Sequence, residues 1–444
     1  MNSKQLNNLD RRFHLDKMFF ASFFIVLLIV RMPPFFFLAG IAKPLTALMF
    51  FYICFRIFLK DNTHFIFKSR IALFILAYFT VRSISVINSI DIPAFLSAYQ
   101  RFVFGFLYFF IALYLTRKRN YARFFFLVYV FTTGINIVFD HFLYFFPGVT
   151  LDVLKNVYIG TTFDILKANY DRGRIFLNFF NELSIPILFY YLFQRGKRVV
   201  IKRKIHTITF ILPLLLLFAV FTAAFFANWR IRMVDYLFGL TASVFIFKKF
   251  FGKQKIIFYS FIGIFCLLVS ISVILSASQN GTIIDRFFTF KEYGVEKNLP
   301  VSRMRLWAKS IEVARTFPLF GIGFGQFPYY FGGQIANVRS MFVENNLLTT
   351  VIFNSPHNIF FTNLAEGGFL GLLTFLILIL YFIKNDVVIL FDPAFPTTVK
   401  ILIIQFWTLM VYGLFHPTDS NEFYFLFFVL RGSIEGLKNK STYV

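Results

Sequence analysis

Long apolar runs separated by short polar connections form the dominant pattern along this chain. Most runs approach the roughly 20 residues that a helix needs to cross a hydrocarbon core of about 30 Å. The first, eighth and twelfth are short, so ten or eleven spans are the alternative to twelve. The runs lie at 18–30, 35–59, 71–87, 99–116, 124–146, 175–193, 207–227, 233–247, 256–275, 358–383, 401–416 and 422–430. The pattern predicts an all-α integral membrane protein with about 12 transmembrane helices, in which residues 1–444 form a single polytopic membrane domain.

The segment before the first run indicates how that run is used. A polar stretch with several basic residues precedes residues 18–30, and Arg31 and two prolines follow without a small-x-small cleavage site. We therefore expect an uncleaved first membrane helix instead of a signal peptide.

Composition and charge fit this class of protein. Hydrophobic residues make up 58% of the chain and charged residues only 15%, with a mean hydropathy of +0.71, which excludes an ordinary soluble domain. The net charge of +24 does not indicate a nucleic-acid partner, because Lys and Arg form clusters between the runs and no continuous basic face. Alternate connections and the two tails carry 26 of these residues, against 8 on the other side when the loop at 276–356 is left out. The positive-inside rule then predicts that both termini are cytoplasmic.

Two long connections fall on the predicted outer side, at 147–174 and 276–356. The second is a large loop between transmembrane helices 9 and 10, and loops of this length in a compact protein are usually functional. Within it, apolar residues recur at helical spacing over 303–317, between Ser302 as N-cap and Pro318 as stop. We expect an amphipathic helix there, lying on the membrane surface or over the bundle. Its polar side carries Arg303, Arg305 and Lys309.

Three glycines follow this helix at alternate positions, Gly321, Gly323 and Gly325. They resemble a phosphate-binding loop only superficially, because no predicted strand precedes them and no Lys-Ser or Lys-Thr follows. Tight backbone packing is the better prediction.

Polar residues inside the predicted spans cluster toward the outer end. Because polar groups are costly in hydrocarbon unless they pair or line a cavity, this distribution predicts a polar cavity that opens outward. The residues are Arg82, Ser85, Asn88, Asn136, Asp140, His141, Asn178, Asn181 and Glu182.

Arg230 and Arg232 fall in the short outer turn between the seventh and eighth spans, where the positive-inside rule disfavours them. A guanidinium group matches phosphate oxygens in a bidentate manner, so a bound phosphate-bearing substrate would account for the pair. Contact with lipid headgroups is the alternative.

His357 stands in the sequence Ser-Pro-His-Asn, where a polar loop meets an apolar run. An imidazole can accept a proton near neutral pH, which makes His357 a candidate general base. His141 and His416 are also predicted on the outer side, but no spacing typical of a metal site connects them. We therefore predict no metal and no other cofactor.

Three motifs together resemble the O-antigen ligase and O-antigen polymerase superfamily. They are Ser302-Arg303-x-x-x-Trp307, Pro318-Leu319-Phe320-Gly321-Ile322-Gly323, and His357-Asn358 followed after nine residues by Gly368 and then Gly371. The motifs cover roughly residues 300–375, and elsewhere the likeness is one of topology.

The resemblance implies a metal-independent inverting glycosyltransferase of the bacterial inner membrane, with its active site facing the periplasm. The donor would be a glycan linked to undecaprenyl diphosphate. His357 would deprotonate the acceptor hydroxyl, while Arg303 and one of Arg230 or Arg232 would hold the diphosphate. The pattern of the family around Arg230 and Arg232 is only partly kept, so which of the two is equivalent stays open. Arg305, close to Arg303, is the alternative to it.

Three functions fit these expectations. A ligase would move a finished polysaccharide onto a lipid A-core acceptor, and we favour this reading. A polymerase would extend a lipid-linked glycan, and transfer to Ser or Thr of a protein is a related variant. A transporter or flippase for lipid-linked sugars is the alternative from another class, although the chain shows no internal repeat.

Overall fold

The computed structural model describes residues 3–31, 39–58, 70–116, 120–146, 148, 180–192, 207–226, 230–247, 303–331, 355–416, 418 and 420–441. All regular structure in these ranges is helical. The helices are α1 (Ser3–Arg31), α2 (Ala39–Phe58), α3 (Arg70–Ile84), α4 (Ile92–Leu115), α5 (Tyr121–Phe145), α6 (Thr207–Phe226), α7 (Arg230–Phe247), α8 (Arg303–Thr316), α9 (Phe327–Phe331), α10 (Ile359–Phe391), α11 (Thr397–Gly413) and α12 (Asn421–Ser441). A 3₁₀ turn at Asn181–Ser184 continues into a short helix at 185–192.

The helices follow the predicted apolar runs. Four segments are long and apolar enough to cross a membrane, and two shorter apolar helices accompany them. The four lie at Arg70–Asn88, Ile92–Leu115, Tyr121–Phe142 and Ile359–Phe391, and the two at Leu212–Ala224 and Thr397–Gly413. The expectation of an all-helical membrane protein is thus confirmed, whereas the run at 256–275 and most of the loop at 276–356 lie outside the described residues. The count of twelve spans stays a prediction.

The starts of α4 and α7 differ from the sequence prediction in ways that bear on the site. The fourth run was placed at 99–116, but α4 begins at Ile92, where the Asp91 side chain accepts a hydrogen bond from the amide of Ala94. Asp is a preferred N-cap because it satisfies an amide that lacks an intrahelical partner. Similarly, α7 begins at Arg230 and not at 233, so Arg230 and Arg232 belong to a helix and not to a turn.

Close packing of α4 on α12 forms the centre of the bundle. A side-chain Cβ at Gly105 would lie 2.8 Å from Cβ of Tyr424, and one at Gly432 would collide with the carbonyl of Phe109. Small residues let membrane helices approach closely, since van der Waals contact is the main attraction available in lipid. Aromatic rings fill the space around this contact, as in the stacked pair Phe79 and Phe106 at 4.2 Å.

A buried ion cluster joins the later part of α10 to α11 and α12. Arg431 donates to the Asp386 carboxylate at 2.7 Å and to Glu435 at 3.3 Å, and the Trp407 indole also donates to Asp386. Arg431 is completely buried. It therefore links α10, α11 and α12, although the charge pattern had counted it among the basic residues of the inner side.

Candidate functional site

His357 lies immediately before α10, in a conformation fixed by its neighbours. Its backbone φ is +55°, in the left-handed region that is uncommon for residues other than glycine. The next residue, Asn358, caps the helix by accepting hydrogen bonds from the amides of Phe360 and Phe361. The left-handed residue thus directly precedes the N-cap of α10.

The Trp307 side chain connects α8 to this turn. Its indole N–H donates to the Pro356 carbonyl at 3.2 Å, and its ring stacks on Phe361 at 5.2 Å. The predicted helix at 303–317 is observed as Arg303–Thr316, and its apolar side packs against Ile322 and Ala365. The amphipathic helix is therefore anchored beside His357, while its proposed N-cap, Ser302, lies outside the described residues.

Arg303 is exposed, and its guanidinium carbon lies 5.8 Å from the centre of the Phe415 ring. Phe415 immediately precedes His416, and the His416 ring centre lies 6.4 Å from that of His357. Packing of α8 thus brings Arg303 and His357 to the same end of the bundle. For Arg305, the structure describes the backbone within α8 but not the side chain.

His416 was left out of the predicted site, because the sequence gives no sign that α11 ends beside α10. Its ring stacks on Tyr412 at 4.8 Å with only 13° between the planes. The Asn358 amide donates to the carbonyl of Leu414 at 2.9 Å and joins the two chain segments. The described structure therefore places a second imidazole next to the predicted base.

A glycine loop, residues 318–325, fills a break in α10. At Gly368 the helix has φ +64° and ψ −165°, which frees backbone groups from the helical pattern. The amides of Phe369 and Leu370 donate to the carbonyls of Pro318 and Leu319, and the amides of Ile322 and Gly323 donate to those of Ala365 and Glu366. Gly321, Gly323 and Gly325 all have positive φ. These contacts confirm tight backbone packing as the use of the three glycines.

A buried ion pair locks this loop to α3. Arg82 donates to one Glu366 oxygen at 2.9 Å, while the amide of Gly325 donates to the other at 3.1 Å. The Arg82 guanidinium also lies 3.8 Å from the centre of the Phe324 ring, a distance typical of cation–π contacts. Glu366 thus serves two elements at once and fixes the register between α3, α10 and the glycine loop.

Arg232 is completely buried within α7. Its Nε donates to Glu182 at 2.8 Å, and Asp140 lies 3.9 Å away. Two residues before Glu182, the ring of Phe180 packs 4.9 Å from that of Tyr412, on which His416 stacks. Arg232 therefore sits in an ion network adjacent to the His357 region. Arg230 starts α7, and its side chain lies outside the described part.

Of the remaining polar residues of the predicted cavity, Asn136 and Asn181 bond to each other and to Arg31. Ser85 and Asn88 donate to backbone carbonyls, and Asn178 lies outside the described residues. Arg31 donates to Glu422 at 2.8 Å, and its second terminal nitrogen lies 3.4 Å from the amide oxygen of Asn181. Asn136 donates to the backbone carbonyl of Arg31. Asn136, Asn181 and Arg31 are all completely buried. These side chains form a buried network at one end of the bundle, and an open cavity beside them stays a prediction.

His141 stands apart from the other two outer histidines in its bonding. Its ring nitrogens lie 2.7 Å from the Ile137 carbonyl and 2.9 Å from the Thr222 hydroxyl. Within the ranges described, no group of three His, Cys, Asp or Glu residues could hold a metal ion.

Comparison with known proteins gives one family. A family model described as O-Antigen ligase matches residues 214–376, which include α7, α8, the glycine loop and His357. No curated protein matches the chain. His416 and Arg82 lie outside the matched residues. His416 lies beside His357 and Arg82 pairs with Glu366, and both of these partners are inside the match. The match confirms, for residues 214–376, the resemblance to the O-antigen ligase and O-antigen polymerase superfamily that the three motifs carry.

Proposed function

We propose that the protein is a glycosyltransferase of the bacterial inner membrane. It moves a glycan from undecaprenyl diphosphate to an acceptor hydroxyl, on the periplasmic side, with both termini in the cytoplasm. The observation that carries this proposal is the packing of α8 against α10, which puts Arg303 and His357 at the same end of the bundle. Cationic and basic groups at one site suit the displacement of a diphosphate by a hydroxyl.

In the proposed reaction, His357 takes the proton of the acceptor hydroxyl as its oxygen attacks the anomeric carbon. The bond from that carbon to the diphosphate breaks, and the diphosphate leaves with the electron pair. Arginine can stabilise the departing charge without a metal, because its fork of N–H donors fits phosphate oxygens. Transfer is therefore expected to persist in the presence of EDTA.

The contacts favour Arg303 over Arg232 as the diphosphate ligand. Arg303 is exposed, whereas Arg232 is completely buried and already held by Glu182. A buried guanidinium engaged with carboxylates would have to give up those contacts to reach a substrate, which is costly. Arg230 at the start of α7 and Arg305 on α8 are the further arginines that we propose for this role.

We propose lipid A-core as the acceptor, as the family description O-Antigen ligase suggests. The test uses purified protein and the lipid-linked glycan of its own host. Lipid A-core, a second lipid-linked glycan and a Ser- and Thr-containing polypeptide are offered as separate acceptors. Glycosylated lipid A-core supports the ligase, growth of the lipid-linked chain indicates a polymerase, and a glycosylated polypeptide indicates a protein glycosyltransferase. Absence of any new glycosidic bond would contradict the proposal and leave a transporter.

A further inference from the structure

The rings of His357 and His416 come together from the segment before α10 and the segment after α11. Their centres are 6.4 Å apart, with 49° between the planes. This separation keeps the ring nitrogens beyond the roughly 3 Å of a direct hydrogen bond. A single oxygen atom can bridge two groups at such a spacing, as bridging waters do.

The face of the His416 ring lies parallel to that of Tyr412, with 4.8 Å between the ring centres. Stacking engages the face of the ring, whereas hydrogen bonds form at its edge, where the nitrogens lie. Because only 9% of the residue is exposed, packing fixes the ring plane and hence the directions in which these nitrogens can bond.

The link between the two helices makes this spacing a fixed feature. Asn358 caps α10 with its oxygen and donates from its nitrogen to the carbonyl of Leu414. One side chain therefore ties the residue after His357 to the residue two before His416. The two chain segments that carry the imidazoles are thus joined by one amide group.

We propose that the acceptor hydroxyl lies between these rings and that His416 orients it for attack. This inference rests on the proposed function. The hydroxyl has one proton, which passes to the unprotonated nitrogen of His357. One oxygen lone pair forms the bond to the anomeric carbon as the bond to diphosphate breaks, and the other accepts a hydrogen bond from the N–H of His416. Correct orientation of a nucleophile lowers the barrier by restricting its unproductive orientations.

Two substitutions separate this role from packing. His416→Phe keeps the stack on Tyr412 and removes the N–H, whereas His416→Gln keeps a donor and loses the aromatic ring. We expect His416→Phe to lower kcat/KM for the acceptor by about 10- to 100-fold, the cost of one hydrogen bond in a reacting complex, and His416→Gln to restore part of it. The KM of the lipid-linked donor should not change. Lipid A-core and a second lipid-linked glycan serve as the two acceptor probes.

His141→Phe is the matched control, because His141 lies on α5 and its ring bonds to the Ile137 carbonyl of the same helix and to the Thr222 hydroxyl on α6. We expect it to leave the acceptor KM unchanged. Thermal unfolding in detergent identifies any variant that fails to fold. If one of the two His416 variants fails, the other is used for the test.

The outcomes that overturn the inference are distinct from failure of the proposed function. If wild-type protein transfers glycan and folded His416→Phe has an unchanged kcat/KM for the acceptor, His416 does not orient the hydroxyl. An equal rise in donor and acceptor KM would assign His416 to packing alone. No transfer by wild-type protein to any acceptor would overturn the proposed function and this inference with it.

Discussion

Gly321 and Gly368 pack backbone against backbone, with no room for a side chain on either residue. A Cβ at Gly321 would lie 2.5 Å from the amide nitrogen of Gly368, and a Cβ at Gly368 would lie 2.6 Å from that of Gly321. The contact explains the position of Gly368 relative to His357. About three helical turns after His357, the glycine loop packs into the break of α10, and only glycine fits there. It also joins α8, which carries Arg303, to the helix that starts beside His357.

Replacing either glycine should disrupt this junction. In Gly368→Ala the new Cβ would collide with the carbonyl of Leu319, and alanine would be strained at the φ of +64°. We therefore expect a lower midpoint of thermal unfolding and loss of glycan transfer. Gly40→Ala is the control, because nothing lies within 4 Å of its Cβ position. Equal unfolding midpoints for the two variants would contradict the close packing described.

The Arg82–Glu366 pair should be one of the more costly contacts to break. Both side chains are almost completely buried, and removing one partner of a buried pair leaves an uncompensated charge at a cost of about 3–5 kcal/mol. Arg82→Met is therefore expected to lower the unfolding midpoint strongly, and Arg82→Met with Glu366→Met to lower it by less than the sum of the single changes.

The comparison for this prediction is the exposed pair Lys309–Glu312 on α8, with an N–O distance of 2.7 Å. Exposed pairs contribute about 0–1 kcal/mol, so Lys309→Met should change stability little. Similar shifts for Lys309→Met and Arg82→Met would show that burial does not set the strength of the Arg82 contact.

The sequence predicts the helices better than the contacts between them. Hydropathy located α3, α5 and α10 to within a few residues at their starts, because the length of a membrane helix is set by the bilayer. It could not show that Arg431 and Asp386 would be buried together. Hydropathy scores each charged residue alone, whereas the cost of burial depends on a partner 45 residues away in the chain.

The site was predictable only where the residues lie close together in sequence. Trp307 and Arg303 could be placed on one helix, and His357 at the start of another. The approach of His416 to His357 depends on how α11 ends against α10, which no local pattern records. The buried position of Arg232 was also missed, since its partner Glu182 belongs to a distant polar segment.

Arg303 should contribute to donor binding through its charge and its fork of donors. Arg303→Gln is expected to raise the donor KM by about 10- to 100-fold, the range for a charged hydrogen bond, and Arg303→Lys to restore part of the affinity. Arg315→Gln is the control, since Arg315 is exposed near the other end of the same helix. A donor KM that rises equally in both glutamine variants would indicate a general effect of charge on α8.

His357 should provide the ionisation on which transfer depends. Because a base acts only when unprotonated, wild-type activity is expected to fall as the pH is lowered and the imidazole becomes protonated. His357→Asn is the informative variant: Asn tolerates the left-handed backbone that His357 adopts, so α10 should start normally. Transfer should fall by about 10²- to 10⁴-fold, and the acidic limb of the pH–rate profile should disappear. A folded His357→Asn protein that transfers glycan at a near wild-type rate would exclude His357 as the base.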